Sequence, residues 1–398
     1  MLIERRIPFK GPMEISNVIP YFETWEKILG LAPKGVKRIF IAATRQNIGK
    51  TTVSLGLISV LKDRFRNIGF IKPVGQRYMV ENGHKVDEDA ILMDRIFNFG
   101  SSIKDMSPIA VERGYTERFI DGLIKTDAPK EIREAFVRIS EGRDLVIIEG
   151  TGHAGVGSVF DLSNAAVSRL LGSKVILVCA GGVGQPIDEV MLNKSLFDKM
   201  GVKLAGVIVN KVLDMKYDKV SGYVKKGFER LGVPVLGVMP YVITLDAPSM
   251  RDVREELDMH VICGEEYMDR QIRKVLVGAM EVKYAMQYLE DDCVVITPGN
   301  RVDLINMLIR MHTGRFKSSV KVAGLILSGG VSPPRRVYNA LKSTGIPTII
   351  SRDNTYDVAS KIHDLTVKIK SRDNNKVRVV EDMVRKYVDI EAVVQNLE

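Results

Sequence analysis

The sequence predicts an α/β fold, with a larger domain built on a mainly parallel sheet and a second, smaller α/β domain after it. Short runs rich in Ile and Val, apolar on both faces, alternate with stretches of helical period. Such runs are typical of buried parallel strands, and the alternation is typical of a sheet covered by crossover helices. The alternation starts again after Pro240, and 398 residues exceed what one hydrophobic core normally holds.

The pattern divides the chain into four segments. Residues 1–35 form an extension broken by prolines, 36–245 form the larger domain, 249–360 form the second domain, and 361–398 form a helical C-terminal tail. Ser249 is expected to cap the first helix of the second domain. The strand-like runs are Arg38–Ala43, Ile68–Ile71, Leu145–Ile148, Val175–Cys179, Leu204–Val209 and Val235–Val238, then Asp292–Thr297, Val322–Leu327 and Thr348–Ile350.

The composition is that of an ordinary globular chain, 45% hydrophobic and 27% charged. No apolar run is long enough for a membrane span and no signal peptide is recognisable, so we expect no membrane partner and a cytoplasmic location. Three scattered cysteines fit a reducing compartment. The net charge of +9 suits anionic ligands. The basic segment Lys361–Lys386 lacks interleaved aromatics, so we expect no nucleic-acid partner.

A phosphate-binding loop follows the first strand. The segment from Ala43 ends in Gly49-Lys50-Thr51-Thr52 and runs into an apolar helix, which is the strand–loop–helix order of a P-loop. The N–H groups and partial positive charge of the helix N-terminus would hold phosphates. Lys50 would span the terminal phosphates, and the Thr51 hydroxyl would ligate Mg²⁺. The nucleotide-binding residues predicted here are Thr44, Asn47, Ile48, Gly49, Lys50, Thr51 and Thr52.

Further polar residues stand where neighbouring strands end. Glu149 follows the third strand, and Asp87-Glu88-Asp89 precede a helix, where chemistry alone does not separate the three acids. Lys72 ends the second strand, in a position to neutralise a transferring phosphoryl group. Asn210 and Pro240 end later strands, where they would contact the nucleotide base. Each position also has an ordinary explanation as a turn, capping or surface residue.

Taken together, these segments resemble the dethiobiotin synthetase family and its relatives. The relatives are the cobyrinic acid a,c-diamide synthases and the N-terminal portion of long phosphotransacetylases. The resemblance covers about residues 36–245. It rests on Thr44-x4-Gly49-Lys50-Thr51, Phe70-Ile71-Lys72-Pro73-Val74, Asp89-Ala90, Val146-Ile147-Ile148-Glu149-Gly150 and Gly206-Val207-Ile208-Val209-Asn210-Lys211.

The resemblance implies that the ligand is ATP with Mg²⁺. In that family a threonine, an aspartate and a glutamate hold the metal, and these are Thr51, Asp89 and Glu149 here. The family's lysine at the phosphoryl-transfer site matches Lys72, and its adenine-contacting asparagine matches Asn210. Since the resembling synthetases build their sites across two subunits, we expect a homodimer.

The substrate side departs from the synthetases. Ala43-Thr44 replaces the usual Gly-Thr, and Gly75-Gln76-Arg77-Tyr78 replaces a serine-rich turn. The glycine-rich segment Gly150–Gly157, with His153, also differs and would be able to hold a second substrate or a phosphate. The biotin-pathway substrate is therefore not implied.

The second domain resembles the DRTGG domain. The matching segments are Val277–Met280, Ile296–Arg301 and Ser328–Gly330, with Asn300 and Ser328 in place of the namesake aspartate and threonine. Two interpretations of its glycine-rich turns stay open. Together with Arg301 they form an anion or nucleotide pocket, or they are tight structural turns.

Two functional hypotheses follow. In the first, the protein is an ATP-dependent enzyme that phosphorylates a small carboxylate or carbamate, with an intramolecular group or an amine capturing the acyl phosphate. Lys50, Lys72 and Mg²⁺ would then position the phosphates and neutralise their charge. In the second, it is an ATP-responsive regulatory protein, related to the front portion of phosphotransacetylase, whose second domain binds an anionic ligand or mediates dimerisation. A partitioning-type ATPase is disfavoured, because Arg45 stands where those proteins carry an extra lysine.

Overall fold

The computed structural model describes residues 35–314, 320–365 and 367–397. The predicted extension before residue 35 lies outside these residues. The described residues form two compact units, the first made of residues 35–241 together with 370–397, the second of the described residues between 242 and 369. The second unit is therefore an insertion in the chain of the first.

The first unit is built on a parallel sheet. Its strands, in chain order, are β1 (Lys37–Ala43), β2 (Ile68–Ile71), β3 (Val74–Gly75), β4 (Tyr78–Glu81), β5 (His84–Asp87), β6 (Ile109–Ala110), β7 (Leu145–Glu149), β8 (Lys174–Ala180), β9 (Leu204–Val212) and β10 (Val235–Pro240). In the described residues the main sheet has the order β10-β9-β8-β1-β7-β2, and every pairing in it is parallel. The predicted strands and their parallel sheet are confirmed. The short pairs β3–β6 and β4–β5 were not predicted.

Helices cover this sheet. They are α1 (Lys50–Leu61), α2 (Glu88–Phe97), α3 (Ile103–Met106), α4 (Tyr115–Ile120), α5 (Ala128–Ser140), α6 (Asn164–Leu170), α7 (Gly184–Lys199) and α8 (Tyr217–Arg230). Every residue from Leu145 to Glu149 in β7 is buried, which explains why that strand is apolar on both faces and why its one acid stands out. Among the described helices, none has the length and apolar character needed to cross a membrane.

The second unit is also α/β. Its strands are β11 (His260–Cys263), β12 (Lys274–Val277), β13 (Cys293–Pro298), β14 (Gly324–Ser328) and β15 (Thr348–Ile350). They lie in the order β11-β15-β14-β13-β12, with only β11 antiparallel to its neighbour. Its helices are α9 (Ile243–Asp246), α10 (Met250–Glu256), α11 (Val282–Ala285), α12 (Val302–His312), α13 (Arg335–Lys342) and α14 (Thr355–His363).

Sequence patterns found the inner strands of this unit but missed its two edges. β11 and β12 are partly exposed edge strands and so lack the continuous apolar run of a buried strand. The predicted cap at Ser249 is confirmed. Its hydroxyl accepts a hydrogen bond from the Asp252 backbone N–H, and the Asp252 carboxylate accepts one from the Ser249 backbone N–H.

The C-terminal helices return to the first unit. The sequence set 361–398 apart as a tail, whereas α15 (Asn374–Tyr387) and α16 (Ile390–Gln395) belong to the unit that holds β1 and α1. Val380 and Val384 of α15 pack on α1 at Gly56, where the missing side chain lets the two helices approach. Long-range packing of this kind leaves no local sequence signal.

The end of α15 is also joined to strand β10. Val388 forms an antiparallel bridge with Gly237, and the Asp389 N–H donates to the Leu236 carbonyl at 2.8 Å. The C-terminal helices therefore contact both α1 and β10, which is the edge strand of the main sheet.

We predict that Gly56→Ala destabilises the protein, although alanine is the better helix former. A Cβ at this position would lie 2.3 Å from Val384 Cγ2 and 3.1 Å from Val380 Cγ1, and stiff valine side chains cannot yield cheaply. We expect a loss of about 1–3 kcal/mol in the free energy of unfolding, measured by urea denaturation.

The matched control is Gly222→Ala in α8, where a Cβ would meet nothing within 4 Å. That change should be neutral or stabilise by up to about 1 kcal/mol, since alanine favours helix. Equal effects of the two substitutions would contradict the described packing of α15 on α1.

Candidate nucleotide site

The N-terminus of α1 is open. Gly49 precedes it in a left-handed conformation (φ 90°), and among the described residues no side chain caps this helix and no acid lies in its first turn. Six other described helices are capped by side chains, namely those of Asp87, Asp127, Ser163, Ser249, Asn354 and Asp389, whereas several more, such as α7 and α8, are uncapped like α1. Uncapped N–H groups with a positive helix end favour an anionic ligand.

The first residue of the phosphate loop has a partner that the sequence did not reveal. The Thr44 N–H donates to the Val178 carbonyl at 2.9 Å, and its hydroxyl donates to Glu189 of α7 at 2.8 Å. Arg45 also lies 4.0 Å from the Glu189 carboxylate. Glu189 is about 145 residues from this loop along the chain, so no local motif could have identified it. Thr44 is thus anchored to a neighbouring helix.

Lys72 forms a buried charge cluster beside this loop. Its Nζ contacts Asp89, lies 3.1 Å from Glu149 Oε1 and lies 3.5 Å from Asp87 Oδ1. All four side chains are buried, with Glu149 fully inaccessible. The structure therefore brings three sequence-predicted residues together, and it adds Asp87, which was only one of three undistinguished acids.

Two of these acids are placed by local structure. Asp87 caps α2 by accepting a hydrogen bond from the Asp89 N–H at 3.0 Å, which holds both carboxylates on the same side as Lys72. Gly75 lies against Asp87, and a Cβ there would come within 2.6 Å of it. Glu149 is carried by the last position of β7, at the carboxyl edge of the sheet.

The protonated form of Lys72 is stabilised. Burial by itself lowers the pKa of this lysine, but the attraction of Asp89, Glu149 and Asp87 outweighs burial and raises the pKa well above its ordinary value. The ammonium therefore carries its positive charge throughout the neutral range, as stabilisation of a phosphoryl group requires.

The cluster fits a divalent cation. With its carboxylates ionised it carries three negative charges and one positive, so its net charge is −2. Thr51 Oγ1 lies 3.1 Å from Glu149 Oε1, and Glu149 Oε2 is buried with no hydrogen-bond partner among the described residues. In the described chain, no three His, Cys, Asp or Glu side chains form a metal cage by themselves. Mg²⁺ commonly uses one or two carboxylates and completes its shell with phosphate oxygens and water.

The glycine-rich loop after β7 is held from outside. The Asn164 side chain accepts from the Thr151 N–H at 3.0 Å and donates to the carbonyls of Thr151 and His153, while Asn193 accepts from the Ala154 N–H at 2.8 Å. His153 is exposed, and its Nδ1 accepts from the Gly155 N–H at 3.2 Å. The loop is therefore fixed by two asparagines that no motif identified.

The two predicted base-contacting residues lie on neighbouring strands. Pro240 is buried at the end of β10 and pairs in register with Val212 of β9. Asn210, also on β9, is buried against the phosphate loop, where its Nδ2 donates to the Ile48 carbonyl at 2.9 Å. Lys50, Thr51 and Thr52 lie in the first turn of α1 and are partly buried.

In the second unit, the groups expected to bind an anion are engaged elsewhere. The Gly329 N–H donates to the Asp353 carbonyl at 2.7 Å, and the Gly330 N–H donates to the Ser351 carbonyl at 2.7 Å. The Arg301 guanidinium donates to the carbonyls of Gly278 and Met280 and to Asp303. Of the two interpretations left open by the sequence, these contacts favour tight structural turns.

Comparisons with known families agree with this architecture. A model of the AAA_26 family, described as an AAA domain, matches residues 37–249, which is more than half of the chain. The chain belongs to the AAA_26 family. A model of the DRTGG domain matches residues 252–365, so this AAA_26 chain carries both domains that the sequence resemblance suggested.

Curated relatives of this AAA_26 chain are of two kinds. The phosphate acetyltransferase of Nitratidesulfovibrio vulgaris is 24% identical over 369 residues, covering 88% of this chain and 50% of that protein. The ATP-dependent dethiobiotin synthetase BioD of Bacillus subtilis is 28% identical over 231 residues, covering 57% of this chain and 94% of that protein. The chain thus spans about half the length of the phosphate acetyltransferases that it matches.

Among solved structures, the MinC:MinD cell division protein complex of Aquifex aeolicus is similar to this chain with a TM-score of 0.34 and 15% sequence identity. The match covers 53% of this chain and 84% of that chain. A likeness this distant does not bear on function.

We predict that Lys72→Met lowers the free energy of unfolding by about 3–5 kcal/mol near neutral pH, because buried carboxylates lose their counter-charge. Folding raises the pKa of Lys72, so its stabilisation is fully present below the unfolded pKa of about 10.4 and is lost as pH rises through the higher folded value. The difference between wild type and variant should therefore stay level from about pH 7 to about pH 10. Urea denaturation across this range measures it.

The control is Arg138→Met, which removes a half-exposed ion pair with Asp105 and should cost less than about 1 kcal/mol. A Lys72→Met cost as small as that of the control would show that the cluster does not hold the charge arrangement described.

Proposed function

We propose that the protein binds ATP with Mg²⁺ in the first unit and uses it to phosphorylate a small carboxylate or carbamate. The observation that carries this proposal is the buried contact of Lys72 with Asp89 and Glu149, next to the Thr51 hydroxyl and the open end of α1. A buried lysine held among three acids keeps a positive charge that is able to stabilise a transferring phosphoryl group.

Each part of the site has a chemical task in this proposal. The N–H groups at the start of α1 bind the phosphates, and Lys50 neutralises charge on them. Thr51, Glu149 and Asp89 would hold Mg²⁺, which supplies Lewis-acid neutralisation of the phosphate oxygens when bound. Lys72 stabilises the γ-phosphoryl group while a substrate carboxylate oxygen bonds to phosphorus and the bond to the ADP oxygen breaks.

The similarity to known relatives supports ATP as the nucleotide more strongly than it supports a carboxylate or carbamate as the substrate. The Bacillus subtilis protein is named ATP-dependent, and the match covers 57% of this chain and 94% of that protein. The glycine-rich loop after β7 is held by hydrogen bonds to Asn164 and Asn193, which supports its use in holding a second ligand. The activity of the phosphate acetyltransferases is not proposed, since the match covers half of those proteins.

A homodimer is part of the proposal, in keeping with the resembling synthetases. Several large apolar side chains of the first unit are exposed to solvent, which supports a subunit contact there. They are Met79, Val80, Ile120 and Leu123, each at least half exposed.

A second candidate function is nucleotide-dependent regulation, and one observation favours it. The second unit is inserted between β10 and α15, and α15 packs on α1, the helix that begins at the phosphate loop. A ligand that shifts α15 would thereby bias the phosphate site, and nucleotide would bias that ligand's affinity equally.

The deciding experiment measures Mg·ATP binding by calorimetry, then phosphate release in the presence of a panel of carboxylates with and without amines. We expect micromolar or tighter binding by the wild type and a loss of at least tenfold in Lys50→Ala, which removes the phosphate-spanning charge. Glu149→Gln should lose the Mg²⁺ dependence of binding, as measured with and without EDTA.

Turnover stimulated by one member of the panel and abolished in Lys72→Ala would support the enzyme. Binding that is intact with no substrate-stimulated turnover would favour the regulatory candidate. A wild type that binds no Mg·ATP would contradict both.

A further inference from the structure

The corner of the phosphate loop just before α1 is held by the end of strand β9. Asn210 Nδ2 donates to the Ile48 carbonyl at 2.9 Å, and Asn210 Oδ1 accepts from the Lys211 N–H at 2.9 Å. Asn210 is 3% exposed, so this amide is a buried part of the loop's support. Both ends of the amide are thus engaged with main-chain groups.

The fit between this amide and the loop is tight. A Cβ at Gly49 would lie 2.4 Å from Asn210 Nδ2, closer than any non-bonded contact allows. Glycine is needed there for two reasons, the left-handed backbone (φ 90°) and the approach of the asparagine. The amide therefore limits where the Gly49 backbone can lie.

The next residue extends this support. Lys211 adopts φ 62°, an unusual conformation for a residue with a Cβ, and its Nζ lies 3.4 Å from the Asn47 carbonyl. Asn47 is itself left-handed, with φ 60°. The left-handed turn at Lys211 therefore places two successive β9 side chains on the same three loop residues, which are 47–49.

We propose that Asn210 and Lys211 are positioning residues that fix the phosphate loop in its anion-binding shape. The resemblance to synthetases implied adenine contact for Asn210, and its hydrogen bonds to loop and strand main chain give the amide a separate role that acts through the triphosphate. This inference rests on the proposed nucleotide binding.

The two roles are separated by a ligand that has no base. We would measure the affinity of Mg·ATP and of Mg·tripolyphosphate for the wild type and for Asn210→Ala by calorimetry. Loss of the brace should weaken both ligands by about the same factor, on the order of tenfold. Weakening of ATP alone, or of neither ligand, would overturn the proposal. A wild type that binds neither ligand would instead overturn the proposed nucleotide binding, and this inference with it.

Two further variants distinguish a loss of loop positioning from a loss of stability. Lys211→Gly keeps the positive φ at no steric cost and removes the side chain that contacts Asn47. We expect the affinity of both ligands to fall by roughly two- to threefold. Val207→Ala, in the same strand and fully buried, should lower the melting temperature and leave both affinities unchanged. If Val207→Ala weakened tripolyphosphate binding as much as Asn210→Ala, a general loss of stability would explain the result and the positioning role would be overturned.

Discussion

The buried ammonium of Lys72 organises the candidate site. Three carboxylates from two parts of the chain, the start of α2 and the end of β7, converge on this one positive charge. Burying so many ionisable groups is tolerated only because they are paired, and the excess of negative charge favours a divalent cation. The site is therefore an arrangement of charges that the fold holds by mutual pairing.

Much of this arrangement was predictable from sequence, because it depends on strand ends. A P-loop, a lysine and a glutamate that each follow an apolar strand must meet at one edge of a parallel sheet. The role of Asp87 in the cluster, the anchoring of Thr44 by Glu189 and the bracing of the loop by Asn210 depend on residues brought together by the tertiary fold. Pattern and spacing contain no information about such contacts.

In the second unit, too, local sequence predicts some features and not others. Its inner strands and the Ser249 cap follow from local pattern, whereas its partly exposed edge strands do not. In sequence, its glycine-rich turns and Arg301 look like an anion pocket. In the structure, the Gly329 and Gly330 N–H groups donate to main-chain carbonyls, and the Arg301 guanidinium donates to a main-chain carbonyl and to Asp303. The second unit is inserted in the chain between β10 and α15, which both belong to the first unit.

The central claim is that Mg²⁺ and a triphosphate meet at the Lys72 cluster. The most direct measurement is a crystal structure with a non-hydrolysable ATP analogue and Mn²⁺, in which anomalous scattering locates the metal. We expect a metal ligated by the Thr51 hydroxyl, with Glu149 or Asp89 bound to it directly or through water, and Lys72 against the terminal phosphate. An analogue bound away from α1, or a metal that contacts none of these side chains, would contradict it.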